Sequence, residues 1–291
     1  MPTIDANGIT INYSREKPES SNGNLVVLVN GLADDLATWD HQAPALLSAG
    51  YDVLRYDNRG IGKTTRSPGP YTSDLLADDL HALLVALDIT GGFHLLGVSM
   101  GGMIAQSYAL RYPNGSQQDR KLHSLSLCCT YAQPTTFCSR MFSLWAEMAQ
   151  RMSVQDVMRD VTLWAFTVPF FRTREDELRQ VEEAMEGLDM KVPEYLAQLN
   201  VIQKFDTTSA LESLRADERV LGGLDEASKI MVLAGKVDML IPVQLSRELA
   251  ERIEGSRFIT TKGGHACIWE FPDDFNKAIV GFLDEHKEAA A

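Results

Sequence analysis

The sequence has few cysteines, no long hydrophobic run and fewer basic than acidic residues. Only four of the 291 residues are cysteines, at positions 128, 129, 138 and 267, and their spacing fits neither a zinc site nor a dense disulfide framework. No apolar stretch approaches the length of a membrane span. The first ten residues have neither the basic start nor the apolar core of a signal peptide. We therefore expect reduced thiols and a cytoplasmic location, away from the membrane.

The excess of acidic over basic residues limits the kinds of molecule that the protein is expected to bind. Lys and Arg together number 27 against 40 Asp and Glu, which gives a formal net charge of -13. An acidic surface argues against nucleic acid and anionic membranes as partners, but a pocket for a small molecule can differ in sign from the surface around it. No metal-ligand spacing such as H-E-x-x-H occurs, so we expect no metal and no cofactor. The sequence does not indicate an oligomeric state.

The first half of the chain alternates between strand-like and helix-like patterns. Short apolar runs rich in Val and Leu predict buried strands, and leucines at positions 76, 80, 83, 84 and 87 recur at helical spacing. The predicted strands are 25–29, 51–57, 93–98 and 121–129, and the helix after the third of them ends near 112–115. Strands that alternate with helices predict an α/β fold with a mostly parallel sheet flanked by helices.

The alternation stops at about Gln133 and resumes after Asp206. Between these positions the pattern is helical, and afterwards strands are predicted at 229–235 and 256–261, with helices at 242–253 and 272–285. We therefore predict a sheet domain formed by residues 1–133 and 207–291, interrupted by a helical insertion of residues 134–206.

Residues 97–101 form a G-x-S-x-G motif between a strand and a helix. A serine on so sharp a turn has strained backbone angles and needs neighbours with little or no side chain. The turn would lift the Ser99 hydroxyl clear of the sheet and place the N–H of Met100 at a helix N-terminus, where it can stabilise an oxyanion. The alternative is a glycine-rich turn with an incidental serine, since the motif alone is a weak signal.

A serine nucleophile needs a base and an acid that orients it. Asp238 and His265 each follow a predicted strand, at the carboxyl edge where Ser99 also lies. Taken singly, the aspartate could be a turn residue and the histidine could be structural. The order Ser, Asp, His with each residue at a strand end is far more specific, and it predicts Ser99 as nucleophile, His265 as base and Asp238 as its orienting acid.

These motifs resemble the α/β-hydrolase family over nearly the whole chain. "YDNRGIGKT" (56–64) is similar to the loop after the family's fourth strand, and "VNGLADDLATWDHQ" (29–42) is similar to its oxyanion loop, especially that of the 3-oxoadipate enol-lactonase branch. The resemblance implies a helical cap inserted after the sixth strand and an oxyanion hole formed by the backbone N–H groups of Leu32 and Met100. Many members have His-Gly where this chain has Asn30-Gly31.

The insertion is rich in Met, Phe and Trp. These residues either pack the insertion onto the sheet domain or roof an apolar pocket above Ser99, and we expect packing to account for the larger share. The residues that we predict to bind substrate are Met141, Trp145, Trp164 and Phe170. Six basic residues are candidates for binding a substrate carboxylate instead: Arg140, Arg151, Arg159, Arg172, Arg174 and Lys191.

Together these features predict a cofactor-independent serine hydrolase of a carboxylic ester or lactone. Serine rather than aspartate at the turn favours acyl transfer over epoxide or haloalkane chemistry. A carbon–carbon bond hydrolase on the same residues is an alternative within catalysis. An alternative of another class is a ligand receptor on the same fold, because a fold does not determine a function.

Overall fold

A computed structural model describes residues 1–114 and 120–288. Its eight strands are β1 (Thr3–Ala6), β2 (Ile9–Glu16), β3 (Leu25–Val29), β4 (Asp52–Tyr56), β5 (Phe93–Val98), β6 (Leu122–Cys128), β7 (Ile230–Gly235) and β8 (Arg257–Thr261). The strands and core helices predicted from the sequence agree with the structure to within two residues at each end. Gly115, in the turn predicted after the third helix, lies outside the described residues.

The helices follow the strands in the order that the sequence predicts. They are α1 (Ala43–Ser48), α2 (Ser73–Ala86), α3 (Met100–Arg111), α4 (Thr136–Arg151), α5 (Val154–Ala165), α6 (Val168–Thr173), α7 (Glu175–Glu186), α8 (Val192–Lys204), α9 (Thr208–Ala216), α10 (Val243–Arg252), α11 (Cys267–Glu270) and α12 (Pro272–His286). The described segment between β6 and β7 contains helices α4 to α9 and no strand. Its treatment as a separate cap domain of residues 134–206 stays a prediction.

The strands form one sheet in the order β1-β2-β4-β3-β5-β6-β7-β8. The pairs from β4 to β8 are parallel, and the two pairs made by β2 are antiparallel. This is the predicted mostly parallel sheet. Because the carboxyl ends of β3, β5, β6, β7 and β8 share one edge, the loops that follow these strands come together there.

Strand periodicity in our sequence analysis did not reveal β1 and β2. They form a hairpin whose turn is Asn7-Gly8, with φ of 47° and 73°. An Asn-Gly pair is a strong hairpin signal because both residues tolerate positive φ, so the turn itself could have indicated the two strands.

Alternate residues of the central strands face two separate hydrophobic cores. Val27 of β3 packs with α2, α3 and α10, while Val26 and Leu28 pack with α1 and α12 on the other face. Burial on both faces explains why these strands are continuous apolar runs rather than alternating ones. Among the described helices, none combines the length and apolarity that crossing a membrane would require.

Three histidines from different elements approach one another near the start of β5. His94 is fully buried, its Nδ1 lies 2.8 Å from Oγ of Ser124, and its ring centroid is 5.4 Å from that of His123. Burial, together with the charges of His123 and His286, lowers the pKa of His94 to about 3. His94 is therefore neutral in the folded protein at any pH near neutrality.

We predict that His94 makes the protein less stable in mild acid. Below a pH of about 6.5 the unfolded chain protonates this imidazole and the folded chain does not, so the free energy of unfolding falls by about 1.4 kcal/mol per pH unit. In urea unfolding at pH 8 and pH 5, His94→Asn should lose about 2 kcal/mol less stability between the two than the wild type. His41→Asn, at an exposed site, is the matched control. An equal loss in wild type and His94→Asn would contradict the prediction.

Candidate active site

Ser99 occupies a strained turn between β5 and α3. Its φ is 56° and its ψ is -120°, a conformation that non-glycine residues seldom adopt. The flanking glycines are required by close backbone approaches. A Cβ on Gly97 would lie 2.1 Å from the carbonyl oxygen of Gly101, and a Cβ on Gly101 would lie 2.0 Å from that of Val29. The glycines therefore allow β3, β5 and α3 to pack closely at this turn.

Ser99, His265 and Asp238 form a continuous hydrogen-bonded chain. His265 Nε2 lies 3.0 Å from Ser99 Oγ, and His265 Nδ1 lies 2.8 Å from Asp238 Oδ2. Because a carboxylate can only accept, Nδ1 carries the proton and Nε2 is free to accept from the serine hydroxyl. The structure thus brings together the three residues that the sequence singled out, each on the loop after its strand.

Asp238 is fixed by more than its contact with the imidazole. The side chain is buried, and its other oxygen accepts a hydrogen bond of 2.9 Å from the backbone N–H of Ile241. Ser99 and His265 remain partly accessible. This combination leaves the serine open to a ligand while the carboxylate is shielded from water.

The predicted oxyanion donors are the backbone N–H groups of Leu32 and Met100. Met100 begins α3, and Leu32 belongs to the loop after β3. In the part of the chain that the structure describes, neither backbone N–H donates to a protein acceptor. Both are therefore available to a ligand oxygen, although their role stays a prediction.

Asn30, which replaces the histidine common in similar loops, anchors the loop after β3. Its Nδ2 donates to the carbonyl oxygen of Tyr56 at 2.8 Å, and its Oδ1 accepts from the indole N–H of Trp39 at 2.7 Å. The amide therefore satisfies a donor and an acceptor at once. Both contacts are made to other parts of the protein, so we infer that Asn30 stabilises the conformation of this loop.

Two buried polar residues connect the helical insertion to the site, and our sequence analysis missed both. Gln198 of α8 accepts from the N–H of Ala33 and donates to the carbonyl oxygen of Arg59, both at 2.9 Å. Glu270 accepts from the N–H of Thr167 and from the N–H of Gly264, next to His265, both at 2.7 Å. No motif marks these residues, because each acts between segments that are far apart in the chain.

The loop after β3 also contains Asp34, which lies beside Ser99. A Cβ placed on Gly31 would be 2.7 Å from Oδ2 of Asp34 and 3.5 Å from Cβ of Ser99. Burial is the main cause that raises the pKa of Asp34 to about 7, and the charge of Asp35 adds to it, while His265 and the N–H of Gly31 act in the opposite direction. Sequence analysis did not single out Asp34.

The four predicted substrate-binding residues of the insertion lie in different surroundings. Met141, Trp145 and Phe170 are buried and Trp164 is partly exposed. Trp145 donates its indole N–H to Asp160 within the insertion, which is the packing role that we expected for most of these residues. A role of the four in binding substrate stays a prediction. The six candidate basic residues of the insertion are all exposed.

One group of potential metal ligands occurs within residues 1–114 and 120–288. Single atoms of Cys129, Asp238 and His265 lie within 4.8 Å of one another. The aspartate and histidine are already hydrogen-bonded to each other, and hydrogen bonding to Cys267 together with burial raises the pKa of the Cys129 thiol well above its ordinary value. The group therefore suits a proton relay better than a metal site. All four cysteines are unpaired and buried.

Comparison with known proteins identifies the family of the fold. A model of the alpha/beta hydrolase fold matches residues 24–272. A putative carbamate hydrolase RutD of Caulobacter segnis is 26% identical over 264 residues, 89% of this chain and 91% of that protein. The crystal structure of the enol-lactonase from Burkholderia xenovorans LB400 is similar with a TM-score of 0.82 and 25% identity, over 97% of this chain and 100% of that one. A malate-bound thermophilic esterase from Thermogutta terrifontis has a TM-score of 0.77 and 25% identity, over 98% and 97% of the two chains.

We predict that Glu270 contributes to stability through its contacts with two segments. In Glu270→Gln an amide NH₂ must face one of the backbone N–H donors, so at least one hydrogen bond to a buried charge is lost. The free energy of unfolding should fall by about 2–3 kcal/mol, measured by urea denaturation. Glu182→Gln, at an exposed position of α7, is the control. Equal stability of the two variants would show that the Glu270 contacts are not needed.

Proposed function

The chain belongs to the α/β-hydrolase family, and we propose that it is a cofactor-independent serine hydrolase that cleaves a carboxylic ester or lactone through an acyl-enzyme. The observation that carries the proposal is the hydrogen-bonded chain from Ser99 through His265 to Asp238 at a strained, glycine-flanked turn. A receptor on this fold would bind a ligand without needing such a relay.

The geometry supports the following sequence of proton transfers. His265 Nε2 takes the proton from Ser99 Oγ as the oxygen attacks the carbonyl carbon, and the N–H groups of Met100 and Leu32 donate hydrogen bonds to the oxyanion that forms. His265 then gives the proton to the leaving oxygen, which leaves an acyl group on Ser99. A water molecule, deprotonated by the same nitrogen, then attacks the acyl carbon. The bond from that carbon to Ser99 Oγ breaks, Oγ takes the proton back from His265, and the acid is released. Asp238 holds the imidazole tautomer and stabilises the imidazolium.

A predominantly apolar substrate fits the insertion better than a dicarboxylate does. A dicarboxylate would need a paired cation, and the six basic residues of the insertion are exposed. Several of them already pair with neighbouring carboxylates, among them Arg174 with Glu177 and Lys191 with Asp189. We infer that apolar contacts with the substrate contribute most of its affinity.

Substrates with different leaving groups could be cleaved by the same Ser99, His265 and Asp238. The named relatives include a putative carbamate hydrolase and an enol-lactonase, whose substrates both have a carbonyl bonded to a heteroatom. A carbon–carbon bond hydrolase is the second candidate, since the relay alone does not select the bond that breaks. Rates with an aryl acetate, an aryl carbamate, a lactone series and a vinylogous diketone would rank these candidates directly.

We predict that Ser99 is the residue that forms the acyl-enzyme. A fluorophosphonate probe should label the wild type at Ser99, and Ser99→Ala should abolish the labelling and lower kcat by a factor on the order of 10⁶. Mass spectrometry of the labelled peptide identifies the site. Ser107→Ala, a serine on α3 that hydrogen-bonds to Ser73, should label normally. Labelling that persists in Ser99→Ala would contradict the assignment.

We predict that Asp238 acts by orienting His265. Asparagine keeps the shape and can still accept from Ile241, but it favours the wrong imidazole tautomer, a change that lowers turnover in serine proteases by roughly 10⁴. The expected result is a loss of that order in kcat for Asp238→Asn with an unchanged unfolding midpoint. Asp225→Asn, exposed and just before β7, provides the comparison. Near-normal turnover would mean that another group orients the imidazole.

A further inference from the structure

Asp34 is the least satisfied carboxylate near the site. The five fully buried carboxylates in the described ranges each have two or more hydrogen-bonding or ionic partners; they are Asp52, Asp57, Asp79, Asp238 and Glu270. Asp34 is half-buried, and of the described residues only the backbone N–H of Gly31 contacts its carboxylate as a hydrogen-bond donor. The carboxylate of Asp34 can therefore accept further hydrogen bonds from a ligand.

The position of Asp34 places its charge beside the reacting atoms. Gly31 separates it from Ser99, and because glycine has no side chain, nothing from that residue covers the carboxylate. The charged groups that act on Asp34 are Asp35, on the same loop, and His265, on the loop after β8. The side chain therefore lies near both the nucleophile and the base.

We propose that Asp34 determines the charge selectivity of the site: the preferred substrate carries an ammonium group or an N–H donor close to the scissile carbonyl, and substrates with a carboxylate at that place are rejected. This inference rests on the proposed serine hydrolase activity and goes beyond it by naming the chemical class of the acyl group. The ammonium or N–H group of the substrate would donate a hydrogen bond to the Asp34 carboxylate, which has no side-chain donor among the described residues. An anionic acyl group meets a like charge, and the six candidate basic residues of the insertion are all exposed to solvent.

Asp34 also gives the site a dependence on pH. Its carboxyl, with a pKa raised to about 7, is largely protonated below that pH and largely ionised above it. An ionised Asp34 repels the oxyanion that forms on the carbonyl, so hydrolysis of a neutral ester should decline as the pH rises through about 7. A substrate ammonium group offsets this repulsion, and the decline should be smaller.

The test uses three aryl esters of equal acyl length that end in a methyl, a primary ammonium or a carboxylate group. At pH 8 the wild type should favour the ammonium ester over the carboxylate ester, and Asp34→Asn should reduce the ratio of their kcat/KM values by on the order of tenfold or more. The alkaline decline with the methyl ester should disappear in the same variant. Asp35→Asn, an exposed neighbour that can still cap the turn at Ala37, should keep the wild-type order of substrates. Asp34→Ser, a smaller neutral replacement, gives the same comparison independently of whether Asp34→Asn folds.

The outcomes separate this inference from the proposed function. If Asp34→Asn and Asp34→Ser change all three esters by the same factor and keep the alkaline decline, Asp34 is structural and the inference is wrong while the hydrolase activity stands. If the wild type hydrolyses none of the esters and Ser99 is not labelled by fluorophosphonate, the proposed function fails, and the inference fails with it.

Discussion

The site depends on one backbone constraint, the left-handed conformation of Ser99 where β5 passes into α3. At the same turn, backbone carbonyl oxygens approach Gly97 and Gly101 so closely that a Cβ on either residue would clash with them. The Ser99 hydroxyl thereby lies at the carboxyl edge of the sheet. The strand order then places the loop after β3 on one side of the serine and the loops after β7 and β8 on the other. A donor loop and a proton relay can therefore converge on the same atom.

The helical insertion is joined to this site by polar contacts as well as by hydrophobic packing. Hydrogen bonds are directional, so Gln198 sets the position of the loop after β3, and Glu270 ties Thr167 to the loop that carries His265. The N–H of Ala266 adds a bond of 2.9 Å to the carbonyl oxygen of Ala165. Any displacement of α8 or of the turn between α5 and α6 therefore breaks hydrogen bonds to the loops that position the reacting groups.

The charges near Ser99 are a feature separate from the fold and from the hydrogen-bonded chain of Ser99, His265 and Asp238. The fold and the relay are compatible with many acyl substrates, and the likeness to an enol-lactonase does not transfer a substrate. Near the nucleophile this chain has a carboxyl without a side-chain partner among the described residues, and the candidate basic residues of the insertion face solvent. Under our proposal, both features disfavour a negatively charged acyl group.

The sequence by itself determined the α/β fold and the identity of the relay. Buried parallel strands are uniform apolar runs, and a G-x-S-x-G turn followed by Asp238 and His265 after later strands has a local signature at each position. Only the tertiary structure decided the surroundings of Asp34, the contacts of Gln198 and Glu270, and the fact that Trp145 donates its indole N–H within the insertion. These properties arise from contacts between segments up to about half the chain apart, and from which charges lack a partner. Neither periodicity nor local spacing encodes a contact of that kind.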